Sequence, residues 1–233
     1  MNSNRKTAII VGVLFLTATV AGILGNSLID PILNAPDYLI NVYPNRTQMI
    51  IGVLISFIIG LAVVGIAVFM FPILKKHNEP IALGYVGIRT AEFAIILVYL
   101  ISPLILITLS QEYVKAGAPD ASSFQTLGAV LIAVRHWIWR LVYIINGVAS
   151  LMLAYLLYQS KLIPRSISVL GLIGGAVLLA GTSLAMFGLI DVDQGAGMLV
   201  VLPGGLFELI LPIWLIVKGF NSSAIDSPSA KQI

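Results

Sequence analysis

The chain has 233 residues, of which 59% are hydrophobic and only 10% charged, with a formal net charge of +3 and a mean hydropathy of +1.03. An ordinary soluble domain is about a quarter charged, and so short a chain cannot bury this much apolar surface in its own core, so lipid must cover the rest. The absence of cysteine excludes disulfides, thiol catalysis and thiolate metal sites.

The long unbroken apolar runs predict an all-α, polytopic transmembrane helix bundle, because a β-barrel would show short alternating segments instead. Six runs are long enough to span: about 7–29, 48–74, 81–109, 127–158, 166–190 and 198–217. The first follows Arg5 and Lys6 like a signal peptide, but its apolar part is too long for one, so it reads as a retained span. The loop DPILNAPDYLINVYPNRT, at 30–47, has three prolines and a broken apolar pattern and is expected along the membrane interface. On the second span Gly52, Ser56 and Gly60 repeat at four-residue spacing, a pattern that lets helices approach closely. Gly171 and Gly175 do the same on the fifth. Intrachain packing is the expected use of both faces, ahead of a dimer contact. The third and fourth runs exceed a bilayer thickness, which predicts tilt, a kink at Pro103 or projection beyond the membrane. In the sixth, Pro203-Gly204-Gly205 is expected to loosen the helix just outside Glu208. Residues 1–221 then form one transmembrane domain, and 222–233 a short disordered cytoplasmic tail.

The basic residues set orientation. With six spans, Arg5, Lys6, Lys75, Lys76, Lys161, Arg165, Lys218 and Lys231 share one side, against Arg46 and Lys115 on the other. By the positive-inside rule both termini are cytoplasmic, in an inner or plasma membrane. Asp30, Asp37, Glu112, Asp120, Asp191 and Asp193 fall in the outer loops. Because the cations flank apolar runs, they read as topology signals and not as a nucleic-acid surface.

Five charged side chains and one histidine fall within the spans: Arg89, Glu92, Arg135, His136, Arg140 and Glu208. A charge at mid-bilayer costs about 2.5–3.5 kcal/mol on insertion scales, so these groups must face one another or a polar cavity. Arg89 and Glu92, three residues apart, share a helix face. On the fourth span His136, Trp139, Arg140, Tyr143, Asn146, Gly147 and Ser150 form one stripe, with Arg135 at its edge and Trp137 pointing away. At 1.5 Å per residue, Glu92, Arg140 and Glu208 each lie ~15–20 Å from a span end. The expectation is one buried site between spans three, four and six, built from Arg89, Glu92, Arg135, His136, Trp139, Arg140, Tyr143, Asn146 and Glu208. Thr17, Thr19 or Asn26 of span one stands near it. Three arginines against two glutamates leave one positive charge over. Guanidinium groups bind carboxylate and phosphate through two oxygens at once. The expected partners are therefore membrane lipids and an anionic or amphipathic small molecule; no metal site or cofactor is expected.

The segments RKTAIIVGVLFLTATVAGILG, PIALGYVGIRTAEF, LIPRSISVLGLIGG and ELILPIWLIVKGF resemble the bacterial domain-of-unknown-function 4386 family over about residues 4 to 221. ALGYVGIRTAE and WLIVKGF carry the resemblance most specifically. It implies a small six-span bacterial inner-membrane protein, matching Arg89 and Glu92 to an R-x-x-E on span three and Glu208 to the glutamate before the closing segment. It implies no activity.

Three functions remain open at this point. One is binding or transport of the anionic or amphipathic molecule, with Glu92 or Glu208 exchanging a proton. Another is an intramembrane enzyme acting on a lipid or isoprenoid, with a glutamate as acid and His136 as base. The third is a scaffold or regulatory partner in which the charges form only a structural network. A channel lacks a filter motif, and a retinal protein lacks a mid-span lysine.

Overall fold

The computed structural model describes residues 3–116, 121–192 and 195–226. Lys231, Asp120, Asp193 and the tail 227–233 lie outside the described residues. The elements are α1 (Ser3–Leu33), α2 (Tyr38–Asn41), α3 (Arg46–Leu74), α4 (Glu79–Ala116), α5 (Ala121–Ser160), α6 (Arg165–Met186), a 3₁₀ helix (Gly195–Val200), α7 (Leu202–Val217) and α8 (Ser222–Asp226). Among the described residues there is no strand. Six segments are long and apolar enough to cross a membrane, the sixth joining the 3₁₀ helix to α7. The expected all-α bundle of six spans is therefore what the chain forms. The α8 helix occupies the first residues of the segment expected to be disordered.

The spans pack in chain order, α1 on α3, α3 on α4, α4 on α5, α5 on α6 and α6 on α7, and α7 returns to α1 to close a ring. Short connections force this order, because each helix leaves the membrane next to the one that re-enters. The closing contact is held at the end that carries both termini, here the terminal end. There Arg5 donates to the carbonyls of Leu215, Ile216 and Val217. These carbonyls belong to the last turn of α7 and have no partner within the helix, so a guanidinium from α1 satisfies them and meets the negative end of the helix dipole. Gly219, at φ +75°, ends α7 in the left-handed conformation that glycine tolerates best.

At the opposite, distal end, α2 packs on α4. Ser110 of α4 donates to the Leu39 carbonyl and accepts from the Tyr43 amide at 2.9 Å, which pins the proline-rich loop down. Prolines 31, 72, 103 and 212 all lie inside helices. At Pro103, α4 runs on as one helix.

The small residues work inside the chain. A Cβ on Gly25 or Gly52 would press into the facing helix, Gly25 against Ser56 and the Gly52 carbonyl, Gly52 against Ile29. Gly60 takes Phe93. The four-residue repeat on α3 is thus filled by α1 and α4. Gly174 of α6 lies against the Gly204 backbone, where a Cβ would sit 2.7 Å from the amide nitrogen. The Pro203-Gly204-Gly205 segment therefore does not loosen a helix in mid-span. It opens α7, with proline in the first turn, and lets α6 touch its backbone.

Two apolar clusters fill the ring. One, near the terminal end, gathers Ala8, Phe15, Ile66, Tyr85, Leu153 and Phe207. The other, toward the distal end, gathers Ile29, Met49, Ile96, Tyr99, Leu106 and Val142. The outer faces carry exposed Ile23, Leu54, Leu83, Ile101 and Ile213, the surface that lipid must cover. Gly174→Leu should destabilise by about 1–3 kcal/mol or more, since the backbone it meets cannot rotate away. Gly87→Ala, where a Cβ meets nothing within 4 Å, should melt like the parent. Thermal unfolding in detergent checks both.

Candidate functional site

The seam between the two apolar clusters is polar. On α4, Arg89 and Glu92 are each 2% exposed and form a salt bridge of 2.7 Å between Arg89 Nη1 and Glu92 Oε2. The three-residue spacing that puts them on one helix face makes the pair local, so α4 carries it into the membrane already closed. Arg89 Nε donates to the Tyr85 hydroxyl at 3.3 Å, and its guanidinium lies 5.4 Å from the Tyr85 ring. From α7, Glu208 enters the same seam. Its Oε1 accepts from Asn146 Nδ2 at 3.3 Å, and Asn146 Oδ1 accepts from Ser150 at 3.0 Å. The Ser150–Asn146 bond runs along one face of α5, as its stripe predicts, and the Asn146–Glu208 bond crosses from that face to α7.

Arg89, Glu92, Asn146 and Glu208 line an inner cavity of about 310 Å³, whose remaining wall is mostly apolar and includes Phe15, Ile59, Val63 and Ile96. It draws on α1, α3, α4, α5 and α7, so α1 and α3 join the three spans expected from the sequence. Thr19 and Asn26 of α1 are in its wall and Thr17 is not.

The remaining predicted residues stand elsewhere. Arg135, His136 and Arg140 line a larger outer cavity of about 1270 Å³ at the distal end, together with Asp30, Asn34, Tyr99, Trp137 and the segment Ala185–Asp191. Arg135 is 3% exposed and its Nη2 donates to Asp30 Oδ1 at 3.2 Å. Its guanidinium stacks 3.9 Å above the Tyr99 ring. Its Nη1 is buried with no acceptor among the described residues. Arg140 lies 5.2 Å from the Trp137 ring, so Trp137 is part of this site and does not point away from it.

Asn26, Trp139 and Tyr143 belong to both cavities and form the wall between them. The rings touch in series, Tyr99 to Trp139 tilted at 4.8 Å and Trp139 to Tyr143 edge-on at 5.5 Å. The Tyr99 hydroxyl donates to Asn26 Oδ1 at 3.3 Å, tying the aromatic stack to α1.

The nine predicted residues therefore divide into two groups, and Arg140 lines the distal cavity instead of meeting Glu92 and Glu208. Two physical reasons account for this. The aromatic side chains of the same stripe fill the cross-section between Arg140 and Asn146. Helix α1 also runs past Ile29 to Leu33, which puts Asp30 one turn beyond Asn26 and opposite Arg135. Asp30 and Asp191, expected in loops, supply carboxylates to the outer cavity. The excess of arginine expected for a single site is therefore absent. The inner cavity holds one guanidinium and two carboxylates, and needs a proton or a cation on Glu208 to be neutral. His136 and the two glutamates lie on opposite sides of the wall, so the expected acid–base set is not gathered in one cavity.

Residues missed from the sequence are Tyr85, Tyr99, Asp30 and Asp191. The one available signal was the four-residue step from Tyr85 to Arg89, which puts hydroxyl and guanidinium on one face.

Glu92→Ala should destabilise by about 3–5 kcal/mol, because it leaves a buried arginine without its counter-ion. Glu208→Gln should stay within about 1 kcal/mol of the parent, since an amide keeps the bond to Asn146 and removes the surplus charge. Thermal melting of both in detergent checks the order; Glu208→Gln melting below Glu92→Ala would refute it.

The family described as a domain of unknown function (DUF4386) matches residues 10–219, a stretch that contains every residue of both cavities. No curated protein and no solved structure matches the chain. The chain belongs to the DUF4386 family, and its six spans make it a multi-pass membrane protein.

Proposed function

We propose that this protein binds, and carries into or across the bilayer, an amphipathic molecule with an anionic head, a lipid or a lipid-like metabolite. The head would sit in the outer cavity on Arg135 and Arg140. The apolar part would pass Trp139 and Tyr143 into the inner cavity. The observation that supports this best is Arg135: a guanidinium with 3% exposure, one amino group of which finds no acceptor among the described residues, in the wall of a cavity of about 1270 Å³. A buried charged donor without an acceptor costs more than about 1–3 kcal/mol, and a carboxylate or phosphate oxygen in the cavity would recover that cost once the side chain turns this amino group toward it.

The wall supports the second half of the reading. Flat aromatic faces and one amide separate a polar chamber from an apolar one, and both matter to a molecule that is polar at one end only. Inside, Glu208 is the group available to take up a proton when such a ligand enters. That follows from its place beside an already closed Arg89–Glu92 pair. The distribution of Lys and Arg supports placing the terminal end in the cytoplasm of an inner or plasma membrane, with the outer cavity on the far side.

In detergent, single-chain amphipaths with a phosphate or carboxylate head should raise the melting temperature by several degrees. Neutral-headed analogues and the head groups alone should not. Arg140→Ala should still fold without ligand, giving a cooperative melt, and lose the shift. Equal stabilisation by neutral-headed analogues, or an unchanged shift in Arg140→Ala, would contradict the proposal.

A further inference from the structure

A second basic site lies at the other end of the molecule, separate from both cavities. A groove of about 510 Å³ runs between the α5–α6 connection and the end of α7, lined by Lys161, Leu162, Ile163, Pro164, Arg165, Trp214, Lys218, Gly219, Phe220 and Asn221. Three of these are cations and none is acidic. A balanced surface would mix the signs; this groove is positive throughout.

The groove is also held in shape. Asn221 donates its amide to the Leu162 carbonyl at 2.8 Å and its side chain to the Lys161 carbonyl at 3.5 Å. Lys161 sits at φ +54°, and no other described non-glycine residue has a positive φ. That turn would form more easily with glycine or asparagine. A lysine kept there supplies a charge that neither replacement could. Arg165 is steered by the Tyr158 ring, 5.2 Å from its guanidinium.

Its position supplies the other half of the argument. Lys161 follows α5, Arg165 begins α6 and Lys218 follows α7, so all three lie at the ends of spanning segments. Trp214, half-buried, is one turn inside. Both flanking helices present exposed apolar side chains beside and below the groove, Val169 and Ile173 on α6 and Ile213 and Val217 on α7. Cations at the level of lipid head groups, with a tryptophan one turn inside and exposed apolar flanks running on along α6 and α7, match the parts of one phospholipid.

We propose that this groove is a binding site for the phosphate of an anionic phospholipid. Lys161, Arg165 and Lys218 hold the head group, Trp214 lies at the glycerol level, and the acyl chains run down the α6–α7 face. The site stands whether or not the reading of the two cavities holds.

The test is native mass spectrometry of the whole protein released from mixed micelles of phosphatidylglycerol and phosphatidylcholine. The parent should retain phosphatidylglycerol preferentially. The triple variant Lys161→Gln, Arg165→Gln, Lys218→Gln should lose that preference by on the order of a hundredfold, three charges at the usual interfacial strength. Its melting temperature without lipid shows whether it is folded. As a comparison, Lys75→Gln with Lys76→Gln removes two cations at the same end but outside the groove, and should leave the preference intact. A third arm adds inorganic phosphate, which should not displace the lipid. Undiminished preference in the triple variant, an equal loss in the Lys75/Lys76 variant, or displacement by inorganic phosphate alone would each overturn the proposal.

Discussion

The ion pair between Arg89 and Glu92 is the constraint around which the bundle is arranged. A guanidinium and a carboxylate, each 2% exposed, lie within a spanning helix with apolar clusters toward both ends. Such groups persist in hydrocarbon only when they are paired and their remaining donors are met. Tyr85 meets one of those donors, one turn away on the same helix. The face that carries this set must point inward, which fixes the rotation of α4. Its neighbours α3 and α5 then turn their lining residues toward it, and the ring closes where Arg5 takes the last carbonyls of α7. Helix termini, glycine contacts and the buried pair thus act together: each removes an alternative rotation or slide that would expose a polar group to lipid.

The closed pair on α4 does not account for the other charges. Glu208 reaches the seam from a different helix and is held by a neutral amide, beside an Arg89 that is already paired with Glu92. Arg135 is bound to Asp30 but keeps a buried donor in reserve. Between them stands a wall of two aromatic rings and an asparagine. A structural network alone would be expected to close on itself. Here the polar groups border two chambers, and the proposed ligand site rests on that arrangement.

How far the sequence reveals this depends on the range of each interaction. The six spans are legible because hydropathy is a local property, and the Arg89–Glu92 pair because its spacing is three residues. The stripe on α5 is legible as a stripe, and the bond from Ser150 to Asn146 follows its face. The partner of Arg135 is not legible, since Asp30 is 105 residues away and joins the site only because α1 extends one turn past its apolar run. The division into two cavities is hidden for a related reason. Depth counted along single helices puts Arg140 and Glu208 at similar levels, but the bulk of Trp139 and Tyr143 decides whether they share a space. The Pro203-Gly204-Gly205 segment reads as a break in mid-span because composition cannot show that the preceding residues form a 3₁₀ helix and that α7 starts there.

The proposed route runs from the outer cavity across the aromatic wall into the polar seam. The chain contains no cysteine, so single cysteines can be placed in it without background. Tyr143→Cys reports the wall, Asn146→Cys the inner cavity, and Leu141→Cys the exposed outer face of α5. The measurement is the rate at which each reacts with a small charged thiosulfonate added from the distal side in reconstituted vesicles. If the account is right, Tyr143→Cys and Asn146→Cys both react, and Leu141→Cys, facing lipid, does not. Reaction at Tyr143→Cys with Asn146→Cys as inert as Leu141→Cys would mean that the seam is sealed and the charges serve the fold alone.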